Sequence, residues 1–177
     1  MTETSFNELL TDQIGNEFAA SQQYIAIAVW FDSQALPRLA AHFYAQSIEE
    51  RNHAMMLVQY SLDRDLGVVI PGVPAVRNDF TLVVEPIALA LAQEKQVTAQ
   101  IEAMFRAARA DGDALGEQAM LWFLKEQVEE VASMSTLLTI AQRAEDNLFD
   151  IENYIARETA TGATADAAAP GAAGGAL

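Results

Sequence analysis

Four segments of this chain carry apolar residues at alternating steps of three and four, the spacing that aligns side chains along one face of a helix. The first segment runs from Ser5 to about Ser33, and the second runs from about Pro37 to Asp65. Their stripes are Leu10, Ile14, Glu17, Ser21, Tyr24, Ala28 and Phe31, then Leu39, Phe43, Gln46, Glu50, His53, Leu57 and Tyr60. We expect both stripes to face a shared core.

The third and fourth segments repeat the pattern on either side of a tight turn at Asp111-Gly112-Asp113. The third opens near Glu85-Pro86, where proline suits the first turn of a helix. The stripes are Ile87, Leu91, Glu94, Thr98, Ile101, Phe105 and Ala108, then Gly116, Met120, Phe123, Gln127, Glu130, Met134, Leu137 and Ala141. The pattern predicts an all-α four-helix bundle. A short fifth helix, from Asn147 to about Glu158, follows a break near Ala144 to Asp146.

The connection between the second and third helices, Leu66 to Val84, contains too much glycine and proline for a helix. About 18 extended residues reach roughly 60 Å, whereas a helix of about 28 residues is only about 42 Å long. The connection can therefore return the chain to the other end of the bundle, which predicts one long crossover and a third helix parallel to the second. We expect a single domain over residues 1–160 and a disordered, alanine- and glycine-rich tail over residues 161–177.

Each stripe carries a polar side chain of a metal-ligating type in mid-course. Glu50 and His53 are three residues apart, which places them one turn from each other on the same helix face. A carboxylate buried without a partner costs several kcal/mol, so such positions require a proton, a cation or a metal ion. An isolated Glu-x-x-His pair is a weak signal, because short motifs often match by chance. Further ligands must come from the other helices.

The two halves of the chain repeat this ligand pattern. Glu17 and Glu50 are 33 residues apart, and so are Glu94 and Gln127. Residues equidistant from the turn of an antiparallel hairpin face each other, so both pairs are expected at a similar height in the bundle. The predicted cluster contains six side chains from four helices: Glu17, Glu50, His53, Glu94, Gln127 and Glu130.

The chemistry of this cluster indicates which metals it could bind. Carboxylates with one imidazole and no sulfur favour iron or manganese, and less specifically zinc. A glutamate between two metals can bridge them, and the metals of such sites lie about 4 Å apart. The arrangement suits oxidation of two Fe(II) ions by dioxygen, because each metal supplies one electron.

Together with the fifth helix, these residues resemble a prokaryotic non-haem ferritin over roughly Phe6 to Glu158. The motifs that carry the resemblance are Glu17, Tyr24, Glu50-x-x-His53, Glu94 and Gln127-x-x-Glu130. The resemblance implies that one iron is held by Glu17, Glu50 and His53. It implies that Glu50, Glu94 and Glu130 hold the second, with Gln127 beside the pair. Tyr24 would be a hydrogen-bond donor or an electron source.

The resemblance also implies a third iron site that leads toward a storage cavity. Its ligands would be Glu49, Glu126 and Glu129, with Glu130, and they follow or precede the inner ligands on the same two helices. The family implies a shell of 24 subunits in which the fifth helix lines channels.

Two departures distinguish this chain from relatives of that family. Gln127-x-x-Glu130 stands where many di-iron carboxylate proteins repeat Glu-x-x-His, so we expect iron sites of unequal affinity. Haem-binding bacterioferritins typically carry methionine directly after the glutamate of the first motif, whereas this chain has Arg51. We therefore predict an iron cofactor without haem.

Charge and composition restrict the partners and the location. The chain has 25 acidic and 10 basic residues and a net charge of -15, which argues against nucleic acids and anionic membranes and favours cations. The absence of cysteine excludes disulfides and thiolate metal sites. No apolar run approaches the length of a membrane span, and the N-terminal residues do not resemble a secretory signal. We expect a cytoplasmic protein.

The leading hypothesis is an iron-storage protein with ferroxidase activity. Fe(II) would be oxidised by dioxygen or peroxide at the paired site and stored as ferric mineral in a hollow homo-oligomer. A non-storage di-iron oxidase or peroxide-scavenging enzyme is the alternative, although the absence of cysteine excludes the rubredoxin module of a rubrerythrin. A metal-free structural bundle is a third hypothesis, against which the buried carboxylates count.

Overall fold

The computed structural model describes residues 5–144, 147–160 and 168–177. Over these residues the chain is all-α and contains five helices: α1 Phe6–Ser33, α2 Pro37–Asp63, α3 Val84–Ala110, α4 Ala114–Ala144 and α5 Leu148–Ala160. The predicted fold class is therefore confirmed. Residues 145–146, part of the predicted break before α5, lie outside the described residues. None of the helices in the described ranges combines the length and apolarity that crossing a membrane requires.

The helix ends follow local chemistry in two cases and a tertiary contact in a third. α1 begins with a capping box in which Ser5 and Glu8 satisfy each other's backbone N–H groups. α2 ends at Asp63, two residues earlier than predicted, and Asp65 adopts a left-handed φ of 54°. The N-terminus of α2 has no capping side chain of its own. Its partner is Glu152 of α5, which accepts hydrogen bonds from the backbone N–H groups of Arg38 and Leu39.

Contacts at the two ends of the bundle show that α2 and α3 run parallel. Arg64, just after α2, pairs with Asp113 in the turn after α3, with 3.1 Å between Nη1 and Oδ1. At the opposite end, Trp30 of α1 packs edge-on against Phe80, which precedes α3, with ring centroids 5.6 Å apart. The predicted long crossover is confirmed.

The apolar core consists of two clusters with polar side chains between them. The cluster nearer the α1–α2 turn includes Ile27, Phe31, Leu39, Ile87 and Leu137. The cluster at the other end includes Leu10, Leu57, Ile101, Met104 and Met120. The buried residues of α4 coincide with its predicted stripe. On the other stripes, Tyr60, Thr98 and Phe105 are only half-buried, and on α3 the preceding residues Val97 and Met104 are buried instead.

Residues 168–177 lie against α2. The backbone N–H of Ala173 donates to the carbonyl oxygen of Met55 at 3.0 Å, and that of Leu177 donates to Asn52 Oδ1 at 3.1 Å. This contact differs from the disorder expected for this part of the tail, because a docking partner far away in sequence leaves no local pattern. Residues 161–167 lie outside the described residues, and the boundary at residue 160 stays a prediction.

Candidate metal centre

A layer of polar side chains separates the two apolar clusters. The six predicted residues of this layer, none more than 8% exposed, are Glu17 on α1, Glu50 and His53 on α2, Glu94 on α3, and Gln127 and Glu130 on α4. The 3.6-residue period that buries the apolar neighbours of each residue also turns these polar groups inward. Their positions on four helices thus create a polar site inside the bundle.

Three of these residues form a compact group of potential ligands. Glu17, Glu50 and His53 each offer one ligand atom, and the three atoms lie within 4.8 Å of one another. Among the described residues, no other group of three or more potential ligands has its ligand atoms this close together. Glu94 and Glu130 do not belong to the group. The His53 Nδ1 atom lies 3.5 Å from Glu50 Oε2.

Aromatic rings hold the imidazole of His53 in place. The ring of Trp122 lies edge-on to His53 with centroids 5.9 Å apart, and that of Phe123 lies edge-on at 5.8 Å. Both aromatic residues come from α4, so the α4 face limits rotation of a side chain on α2. Trp122 has a structural contact with the site, and we assign it no redox role.

The carboxylate oxygens differ in how many hydrogen bonds they accept. Gln13 Nε2 donates to Glu17 Oε1 at 2.7 Å, and the Tyr24 hydroxyl donates to Glu94 Oε1. Glu17 Oε2, Glu94 Oε2 and both oxygens of Glu50 are buried without a hydrogen-bond partner. Glu17 and Glu94 therefore each have one oxygen held by a short hydrogen bond from a neighbouring side chain, whereas neither oxygen of Glu50 is held in this way. A carboxylate with neither oxygen held by a neighbouring donor can offer both oxygens to cations, so the residues fit a metal ion at this position.

Burial raises the pKa of every acid in the layer, because a charged carboxylate loses its hydration there. The pKa of Glu17 lies well above its usual range, because of burial first and the charge of Glu50 second. The pKa of Glu50 is also well above its usual range, because of burial first and the charge of Glu94 second. Burial likewise raises the pKa of Glu94 to about 7 and that of Glu130 to about 9. Without a cation the site holds protons, and a divalent ion would replace them.

The acids predicted to form a third site lie on α2 and α4 beside the inner layer. Glu49 and Glu126 are half-buried, and their charges, after burial itself, help to raise the pKa of Glu130. Glu129 is exposed. The carboxylates at positions 49 and 126 are thus within electrostatic reach of the inner layer. The role of all three residues as ligands stays a prediction.

Sequence reasoning missed two amides that position these acids. Gln13 is 1% exposed and lies one turn before Glu17. Gln46 is 9% exposed, and its Nε2 donates to Glu49 Oε2 at 2.8 Å. Its carboxamide also hydrogen-bonds Glu130, which partly opposes the rise in the pKa of that acid. A glutamine four residues before a predicted ligand is the signal that could have identified both.

Comparisons with known proteins agree with this architecture. The family described as ferritin-like domain matches residues 7–144. The chain is 62% identical over 175 residues to ferritin BfrB of Mycolicibacterium smegmatis, covering 99% of this chain and 96% of the relative. It is 59% identical to a protein named bacterioferritin BfrB of Mycobacterium tuberculosis, covering 98% and 96%.

More distant relatives share the same outline. A bacterial non-heme ferritin of Staphylococcus aureus is 33% identical over 140 residues, covering 79% of this chain and 84% of the relative. Among solved structures, an open-pore ferritin from the archaeon Archaeoglobus fulgidus superposes with a TM-score of 0.82 at 22% identity, covering 86% of this chain and 94% of that one. The structural match supports the fold.

Proposed function

The chain belongs to the ferritin family, and on that premise we propose that it stores iron after oxidising Fe(II) at the buried layer between its two core clusters. One observation carries the proposal. Glu50 is 1% exposed with neither oxygen hydrogen-bonded, and it lies beside ligand atoms of Glu17 and His53. A purely structural bundle would gain stability from an apolar residue there, so the acid needs a cation to explain it.

Fe(II) is the substrate of the proposed reaction. Glu17, Glu50 and His53 would bind one ion, and Glu50, Glu94 and Glu130 would bind the other, with Glu50 shared. The acids neutralise the cations and favour the higher charge of Fe(III) over Fe(II), which makes oxidation easier. The unequal donor sets, with one imidazole in the first site only, support unequal affinities.

The electrons and protons of the reaction balance with either proposed oxidant. Two Fe(II) ions give two electrons to dioxygen, which takes up two protons and becomes hydrogen peroxide. With peroxide as the oxidant, the same two electrons break the O–O bond, and two protons complete two water molecules. Tyr24, as donor to Glu94, orients this carboxylate and is a candidate source of a further electron.

We propose that Glu49, Glu126 and Glu129, with Glu130, receive iron from the oxidising pair. The support is electrostatic, because the charges of Glu49 and Glu126 reach Glu130 and extend the negative potential outward from the centre. Gln127 is proposed to act beside the pair.

We propose that the protein binds no haem, although one close relative is named a bacterioferritin. The support is Arg51, which stands directly after Glu50 where the haem-binding relatives carry methionine. Reconstitution with haem is expected to give no Soret band that co-elutes with the protein, and a stoichiometric band would refute this assignment.

We further propose a cytoplasmic homo-oligomeric shell of 24 subunits. Large apolar side chains on the α1–α2 surface support assembly, since Ile25, Val29 and Ile48 are between 43% and 54% exposed in the isolated chain.

The function of the site can be tested by measuring the fast phase of Fe(II) oxidation in the Glu50→Ala variant. We expect the variant to assemble but to lose the fast phase, because both iron positions lose a ligand. Glu102→Ala is the control, because its exposed carboxylate pairs with Arg106 on the outside of α3. A fast phase in Glu50→Ala equal to that of the wild type would refute the proposed site.

A further inference from the structure

We propose that Thr98 is a positioning residue that fixes the carboxamide of Gln127, with its oxygen turned to Thr98 and its NH2 group turned to Glu94. Gln127 then acts as a hydrogen-bond donor to Glu94 and not as an iron ligand. The inference rests on the proposed function and adds to it the reason why the amide takes one of its two orientations.

The Thr98 hydroxyl contacts two acceptors from a half-buried position on α3. Its Oγ1 atom lies 2.9 Å from Gln127 Oε1 and 2.9 Å from the backbone oxygen of Glu94. Inside α3 the latter oxygen is already the acceptor of the backbone N–H four residues on. Gln127 is 3% exposed, so its oxygen has no solvent to supply a donor. The hydroxyl group has one proton to donate, and donating it to Gln127 Oε1 is the more stabilising choice, because that oxygen has no other donor.

The other end of the amide faces an acid. With a metal ion bound, Glu94 is an ionised carboxylate, which only accepts hydrogen bonds, so it selects the NH2 group of Gln127. A hydrogen bond joins the Gln127 side chain to that of Glu94. A hydroxyl at one end and a carboxylate at the other thus define one orientation of the carboxamide.

This orientation determines the donors available to the second iron. With Oε1 committed to Thr98, the second site contains only carboxylate oxygens, from Glu50, Glu94 and Glu130. Without the hydroxyl, the amide can rotate by half a turn and present Oε1 as an additional neutral ligand. Thr98 therefore adds to the difference between the two iron sites through Gln127, without contact with the metal.

Substitutions at Thr98 separate the hydroxyl from the shape of the side chain. Thr98→Val keeps the β-branched shape and removes the hydroxyl, Thr98→Ser keeps the hydroxyl, and Thr98→Ala removes it without adding a methyl group. Each variant is compared in the full assembled protein by anaerobic Co(II) titration, followed by calorimetry and by visible absorption. Helix content and native mass establish that each variant is folded.

We expect Co(II) to bind the paired sites of the wild type in two affinity classes. Thr98→Val and Thr98→Ala should change the dissociation constant of the weaker class by about fivefold, the value of one buried hydrogen bond, and should alter its absorption band. Thr98→Ser should stay within about twofold of the wild type. In a Gln127→Met background, Thr98→Val should have no further effect, because the residue through which it acts is gone.

Three results would overturn this role: a Thr98→Val titration identical to the wild type, a Thr98→Ser titration as altered as that of Thr98→Val, or an effect of Thr98→Val that persists with Gln127→Met. A wild-type protein that binds no Co(II) and oxidises no Fe(II) would contradict the proposed function itself, and this role for Thr98 with it. The two failures are distinguishable, because only the second appears in the wild type.

Discussion

At the scale of single residues, the buried acids hold protons that a metal ion must displace. The pKa of Glu130 is raised to about 9 and that of Glu94 to about 7, both chiefly by burial. We expect Zn(II) binding near pH 7 to release protons, measured by titration in weakly buffered solution. Glu130→Gln should release fewer. Zn(II) binding without proton release would contradict the description of the site.

The same raised pKa values predict how the stability of the metal-free protein depends on pH. Between the ordinary glutamate pKa of 4.5 and about 9, the folded protein binds more protons than the unfolded chain. The stabilisation that comes from protonating the buried acids is complete below pH 4.5. It is lost as the pH rises through about 7 for Glu94 and then about 9 for Glu130. The urea concentration at the midpoint of unfolding should therefore decrease as the pH is raised from about 6 to about 9.

Glu130→Gln supplies the control for this pH dependence. A glutamine is neutral throughout this pH range. In the variant, the urea midpoint should therefore decrease less as the pH approaches 9. A midpoint that rises over the range would have the wrong sign for buried acids.

Removing the phenol oxygen at position 24 tests a single hydrogen bond of the site. The Tyr24 hydroxyl donates to Glu94 and opposes the rise of its pKa, so Tyr24→Phe should raise this pKa further. We expect Fe(II) oxidation to be about tenfold slower near pH 6.5, with partial recovery at higher pH, measured as initial rates. Tyr44→Phe is the matched control, because it removes a 3.0 Å bond to Asp32 on the surface. Equal rates in both variants would exclude this role.

Much of the site was predictable at the residue scale. Glu17, Glu50 and His53 were expected together because helical period and hairpin symmetry are local rules, and the structure brings them together. Gln13 was not predicted, because its only signal is its position four residues before Glu17, and this spacing alone does not show that an amide serves a carboxylate. The orientation of the Gln127 amide depends on a contact between α3 and α4 and was equally invisible.

At the scale of elements, α5 secures the start of α2. Glu152 accepts hydrogen bonds from the backbone N–H groups of Arg38 at 3.0 Å and Leu39 at 2.9 Å, which replaces the missing local cap. We expect Glu152→Ala to lower the free energy of unfolding by about 1 to 2 kcal/mol, measured by urea denaturation at constant protein concentration. Glu152→Gln keeps one acceptor and should lose less. A midpoint unchanged in Glu152→Ala would show that the cap contributes nothing.

The elements themselves were largely predictable. Helix bounds differ from expectation by one or two residues at the end of α2, at the start of α3 and at both ends of α5. The parallel α2–α3 arrangement followed from the reach of the crossover. The contact that holds the crossover against α1 was not predicted. In it, the Gln23 side chain forms two 2.8 Å hydrogen bonds with the backbone of Arg77. Such bonds depend on the final position of an extended loop.

At the scale of the whole molecule, charge and apolar surface point to different partners. A net charge of -15 attracts cations over long distances, which suits delivery of Fe(II) to an internal site. Exposed apolar residues such as Val29, Leu121 and Val128, each more than half exposed, suit contacts with other copies of the chain. A shell with an acidic character combines both properties.

The measurement that tests the central claim most directly is the native mass of the protein, together with the iron retained per chain, after aerobic loading with Fe(II). We predict a large assembly that retains far more iron than its proposed ligand sites can hold, and that loads more slowly when Glu50 is replaced by alanine. A small oligomer retaining about two irons per chain would contradict storage and favour a non-storage oxidase. Retention of no iron would contradict the metal centre itself.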